Sequence, residues 1–135
     1  MKILLKLFLL VCVIFVLTGC KHDRGIILFN TQPINEKNVL TDSKIFKSGQ
    51  RVYYLFIAPK RMENAYIRVQ IFKMDEKDSW GGAEIVRRKD FRLMKDERYY
   101  HSDYFVLYEK GRYGMQVFSM DDLQNPLSAG DFYVK

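Results

Sequence analysis

The sequence predicts an all-β domain, a sandwich or barrel, and three observations point that way. Short runs rich in β-branched and aromatic residues recur through residues 25–135, turn signals separate them about every ten residues, and no helical period interrupts them. About seven strands account for the pattern, with no internal repeat, low-complexity tract or second domain.

The strands can be taken in order. Residues 25–29, Gly-Ile-Ile-Leu-Phe, read as the first, and residues 31–38, with Pro33, Asn35 and Asn38, as loop. Residues 44–46 lead into a turn at Ser48-Gly49. Residues 50–58 are apolar on both faces, the mark of a central strand, and Pro59 closes the run. In residues 65–74, Ile67, Val69 and Ile71 fall on one face and Arg68 and Gln70 on the other, with Tyr66 and Phe72 along the outer surface. Residues 75–82 form an acidic, turn-rich loop. A short strand at 84–87, a charged stretch and an aromatic strand at 104–108 follow; Gly111 begins another, and residues 131–135 end the chain as a last short strand.

The first twenty residues are of another kind. Lys2 and Lys6 supply positive charge, residues 3–17 an apolar core broken only by Lys6, and Leu17-Thr18-Gly19-Cys20 a small-residue site followed by cysteine. This segment resembles the signal peptide and lipobox of bacterial lipoproteins. The resemblance implies that residues 1–19 are cleaved, that Cys20 is acylated through its thiol, and that residues 20–24 are a short tether before the domain at 25–135. Two plainer readings are an uncleaved membrane helix and an ordinary signal with an incidental cysteine. The first requires about 20 predominantly apolar residues, more than this run offers. In Gram-negative lipoproteins the residue after the cysteine sorts between membranes, and Lys21 here, not aspartate, points to the periplasmic leaflet of the outer membrane. In any envelope the expected location is a membrane surface, reached through a lipid anchor.

A second resemblance lies near the C-terminus. Glu109-Lys110-Gly111-Arg112-Tyr113, followed by Met115 and Val117, resembles the entry to strand F of immunoglobulin-like domains, where an acid, a glycine and a tyrosine form the tyrosine corner. It implies a single Ig-like or fibronectin-III-like antiparallel sandwich. Gly111 would permit the tight backbone, the Tyr113 hydroxyl would bond back to the neighbouring chain, and Met115 and Val117 would enter the core. There is no cysteine pair, and residues 66–72 contain no tryptophan, so the match is to the broad architecture and not to antibody domains. The plainer reading is a Lys110-Gly111 hairpin in another β fold.

Composition limits the chemistry. The formal charge of +6 falls to +4 when Lys2 and Lys6 leave with the leader. That is weak for a nucleic-acid binder, and export makes such a partner unsuitable. Of two cysteines, Cys12 lies in the leader and Cys20 would be acylated, leaving no thiol for a disulfide or nucleophile. Of nine tyrosines and ten phenylalanines, all but Phe8 and Phe15 of the leader supply apolar surface for a core instead. His22 falls in the tether, and His101 has Ser102 beside it, an adjacency that sends the two side chains to opposite faces of a strand. Two histidines fall short of a zinc site. The acids Asp75, Glu76 and Asp78, and the pair Asp121-Asp122, crowd loops without the oxygen spacing of a calcium loop, and read as solvated turn residues. No enzyme, cofactor or metal is expected; an envelope enzyme would require at least two of Asp96, His101 and Asp103 to converge in a pocket.

Two surface features remain. Arg87, Arg88 and Lys89, with Arg92 nearby, form a basic cluster suited to lipid phosphates or an acidic polymer, or else to guarding a sheet edge. Tyr99, Tyr100, Tyr104 and Tyr108 form an aromatic group; in one continuous strand Tyr100, Tyr104 and Tyr108 share a face with Val106, a composition more typical of core. The expected function is a non-enzymatic, lipid-anchored binding or assembly module with an envelope protein or polysaccharide as partner. Exposed coplanar tyrosines would favour polysaccharide, and a contiguous apolar patch or free sheet edge would favour protein.

Overall fold

A computed structural model describes residues 24–74 and 82–135 of the chain. The leader, Cys20 and His22, together with Asp75, Glu76 and Asp78, lie outside the described residues.

The described residues form eight strands: β1 Ile26–Asn30, β2 Ile45–Phe46, β3 Arg51–Ile57, β4 Tyr66–Met74, β5 Ala83–Arg92, β6 Tyr100–Val106, β7 Gly111–Ser119 and β8 Ser128–Val134. They make two sheets, one ordered β1-β3-β6 and one ordered β2-β8-β7-β4-β5. Every pairing is antiparallel except that of the two-residue β2 with β8. Strands β3 and β6 are neighbours in one sheet and β4 and β7 in the other, with β8 beside β7. These are the B–E and C–F–G adjacencies of an immunoglobulin-like sandwich. The described residues are therefore all-β with the expected architecture, their extra strand being the short β2.

Alternation explains most of the strands. Val52, Tyr54 and Phe56 of β3 are buried, as are Ile67, Val69 and Ile71 of β4, while the residues between them face outward. β3 is central in its sheet, in keeping with its apolar sequence. At the centre of the core the Phe132 ring lies 4.9 Å from Phe29, 5.8 Å from Phe46, 5.6 Å from Phe105 and 5.7 Å from Tyr113, so five strands meet around one side chain.

Three boundaries differ from the sequence reading. β5 runs ten residues and absorbs the charged stretch after Arg87. Its backbone pairs with β4, and a paired edge strand tolerates charge on both faces; Arg68 also grips Asp90 across the ladder at 2.8 and 3.0 Å. The register skips Val86 between the Ile71–Arg87 and Phe72–Ile85 pairs, which makes a bulge there. β6 begins at Tyr100 and ends at Val106, because Tyr100 pairs with Ile57 at the far end of β3. β8 begins at Ser128, since Ser128-Ala129-Gly130, turn-like in sequence, pairs with Val117, Gln116 and Met115 of β7.

The corner before β7 has defined geometry. The buried Tyr113 donates its hydroxyl hydrogen to the Glu109 carbonyl at 2.7 Å, while Lys73 holds the Glu109 carboxylate at 2.9 Å. Gly111 sits at φ 151°, a backbone state that side chains disfavour. Met115 and Val117 are fully buried.

Candidate functional site

The outer face of the three-stranded sheet is built from residues that alternate with the core. Register places Ile26, Ile57 and Tyr100 in one row, Leu28, Leu55 and Ser102 in the next, then Tyr53 beside Tyr104, and Arg51 beside Val106. Ile26 is 55% exposed, Tyr100 45% and Tyr104 43%; Leu28, Tyr53, Leu55, Ile57 and Val106 are half-buried. The result is a continuous apolar and aromatic face. Monomeric soluble domains rarely leave such a face open unless something binds there. The Arg51 guanidinium caps one end, 4.8 Å from the centre of the Tyr104 ring.

The expected tyrosine group is only partly assembled. Tyr100 and Tyr104 lie on this face. Tyr108 lies beyond the strand, 75% exposed, with Gly49 beside its ring. Tyr99 sits in the preceding loop, its carbonyl accepting from the Ala58 amide at 2.7 Å. The presence of Val106 suggested a core row, and that expectation is corrected: Phe105 is the inward residue and Val106 faces out. The Tyr53 and Tyr104 rings are 5.5 Å apart and tilted by 45°, so they do not form one flat platform.

Sequence reasoning missed Ile26, Leu28, Tyr53, Leu55 and Ile57. Their signal was present in the two-sided apolar run at 50–58, read as burial on both faces. In a two-layer domain one face of each sheet lacks a layer above it, so a run apolar on both sides marks an uncovered face as readily as a buried one.

The basic cluster is divided by strand parity. Arg87 and Lys89 turn inward with Phe91 and line a small cavity with Tyr54, Asp103 and Phe105, while Arg88 turns outward and meets Gln70 at 3.3 Å. The cavity holds about 10 Å³, about one water's worth. Lys89 reaches Asp103 at 3.5 Å and lies 4.6 Å from the Phe91 ring centre.

His101 and Ser102 lie on opposite faces of β6. Ser102 donates to the Tyr54 carbonyl at 3.1 Å, while His101 turns inward, its ring centre 4.2 Å from that of Phe91. Burial holds the imidazole below its ordinary pKa, with Asp103 opposing that shift and Lys89 reinforcing it; the buried Nε2 has no hydrogen-bond partner among the described residues. His101 and Asp103 thus share a face, but only Asp103 lines the small cavity. Tyr54, deeply buried, has its hydroxyl pKa pushed upward, chiefly by desolvation.

At the end of the sandwich where the chain enters, a groove of about 720 Å³ runs between Arg24, Lys60 and residues 122–129. Asp122 accepts from the Gln124 and Asn125 amides and from the Asn125 side chain, and Ser119 donates to Asp121. These carboxylates fold their own turn, which lowers the Asp122 pKa. Among the described residues no three His, Cys, Asp or Glu side chains converge on a common point.

No family model matches the sequence, and no curated protein does. Solved structures do resemble it. The soluble domain of PmoD from Methylocystis sp. ATCC 49242 aligns over 87% of this chain and 95% of its own with TM-score 0.51 and 13% identity. An immunoglobulin-like protein from Pseudomonas aeruginosa aligns over 87% and 100% with TM-score 0.47 and 12% identity. At such identities the likeness concerns the fold.

Proposed function

We propose that this chain is a lipid-anchored cell-envelope protein whose sandwich is a non-enzymatic protein-binding or assembly module. One observation carries the binding half: the continuous apolar outer face from Ile26 to Val106. The tilt between Tyr53 and Tyr104, and the aliphatic side chains beside them, suit a protein surface better than a sugar ring, which stacks on flat aromatic faces. The anchoring half rests on the lipobox-like Leu17-Thr18-Gly19-Cys20, with the basic tether end as its accessory.

The test places a photo-crosslinking residue at Leu28 or Leu55 of the anchored protein in living cells. A discrete protein adduct is expected at both, and Ile57→Glu introduced alongside should abolish it by burying a charge in the contact. Adducts to glycan or lipid alone would defeat the assembly reading. In the same cells Cys20→Ser should eliminate incorporation of labelled fatty acid and release the domain; persistent labelling would defeat the anchor.

A further inference from the structure

The sandwich sets three strands against five, and the vacancy falls over one strand. Every residue of β5 except Phe91 is exposed, including the inward-turned Arg87 and Lys89. The strand beside that vacancy is β6, and among the described residues no strand pairs with its far edge. The Ala58 amide bonds to the Tyr99 carbonyl, and antiparallel alternation then directs the backbone groups of residues 101, 103 and 105 at β3. Those of Tyr100, Ser102, Tyr104 and Val106 point away from the sheet.

The other sheet edges are guarded. Along β1, Asp42 accepts the Phe29 amide at 3.0 Å and the Ser43 amide bonds the Phe29 carbonyl at 2.8 Å. β2 is two residues long, and β5 carries a bulge and a run of charges. On β6 the outward positions hold Tyr, Ser, Tyr and Val, with neither charge nor proline. Its inward charge, Asp103, is paired with Lys89.

We propose that the open edge of β6 accepts an extended segment of a partner protein, which adds a fourth strand over β5 and is selected by three side chains at alternate positions. It would meet three rows of side chains. His101 stacks with Phe91, Lys89 pairs with Asp103, and Arg87 lies beside Phe105 in the same cavity. Among the described residues Arg87 pairs with no carboxylate. The incoming segment therefore carries an acid against Arg87, a small polar residue against the satisfied Lys89–Asp103 pair, and an apolar residue against Phe91 and His101. Backbone bonds supply the attachment, and these three residues the selectivity. This proposal deepens the assembly reading by naming a partner chemistry, and uses an edge distinct from the Ile26–Ile57 face.

The experiment uses the isotope-labelled full chain in detergent micelles and capped synthetic peptides. These alternate threonine with glutamate, serine and leucine, in that order or the reverse. Binding of either peptide should slow amide exchange at Ser102 and Tyr104, and replacing glutamate by lysine, or Arg87→Glu in the protein, should weaken it by about tenfold or more. Ile57→Glu should leave peptide binding intact even where it abolishes the crosslinks described above, so the two readings fail separately. Amide dispersion confirms that each variant is folded. The proposal is overturned if neither peptide protects these amides, or if the lysine peptide binds as tightly. It is also overturned if the protein alone protects them as its concentration rises, since a second copy would then occupy the edge.

Discussion

At the residue scale, two buried side chains carry separable consequences. The Tyr113 hydroxyl makes one bond, to the Glu109 carbonyl, and the ring packs on Phe132. Tyr113→Phe keeps the packing and deletes the bond, and should lower stability by about 1 kcal/mol in urea denaturation. His101 governs a pH dependence. Its folded pKa lies below the ordinary value of 6.5 because burial penalises the imidazolium; attraction to Asp103 opposes that shift, and the smaller repulsion from Lys89 reinforces it. On acidification the unfolded chain takes up this proton first, so the unfolded state binds more protons and stability declines as pH drops below about 6.5 toward the folded value. The decline levels off once the folded imidazole is protonated too. Denaturant midpoints measured at several pH values should show this slope in the native protein and a flatter one in His101→Phe; equal slopes would count against it.

At the scale of elements, pairing decides what local composition leaves ambiguous. Residues 50–58 read as a strand by a two-sided apolar run and 65–74 by alternation, and the structure makes strands of both. The segment from Arg88 to Arg92 has no apolar alternation and reads only as a charged stretch, yet β4 captures it by backbone bonding and by the Arg68–Asp90 pair. Close approach between β1 and β3 has a similar long-range cause. A Cβ on Gly25 would lie 2.5 Å from the Ile57 carbonyl oxygen and 2.8 Å from the Phe56 ring. Since the oxygen belongs to the backbone, Gly25→Ala must push the strands apart, and a loss of about 1–3 kcal/mol is expected in thermal or chemical unfolding. The same displacement should disturb the Ile26–Ile57 row and weaken crosslinking from the outer face.

At the scale of the whole molecule, a chain with no thiol left for a disulfide after Cys20 relies on burial. Phe132 connects five strands across both sheets, so Phe132→Ala should cost about 3–5 kcal/mol. Against a total of about 5–15 kcal/mol for an ordinary domain, that change should reduce the melting temperature sharply and lower the amount of anchored protein in cells. The mismatch of three strands against five is also a property of the whole. It leaves most of β5 exposed and, among the described residues, one edge of β6 unpaired, and neither strand reveals this by itself.

What the sequence determined is local and periodic: the all-β class, the central place of residues 51–57, the inward faces of β4 and β7, and the tyrosine-corner segment. These follow from alternation and from residue types with narrow backbone preferences, which act over a few positions. Tertiary structure alone decided which side of an apolar row meets the core. Tyr104 and Phe105 are both aromatic and adjacent, and the one-residue difference that turns Phe105 inward is set by pairing with β3, about fifty residues away in sequence. It also separated Arg87 and Lys89 from Arg88 and brought His101 against Phe91. The physical reason is that strand faces are assigned by register between distant segments, and register is a property of the assembled sheet.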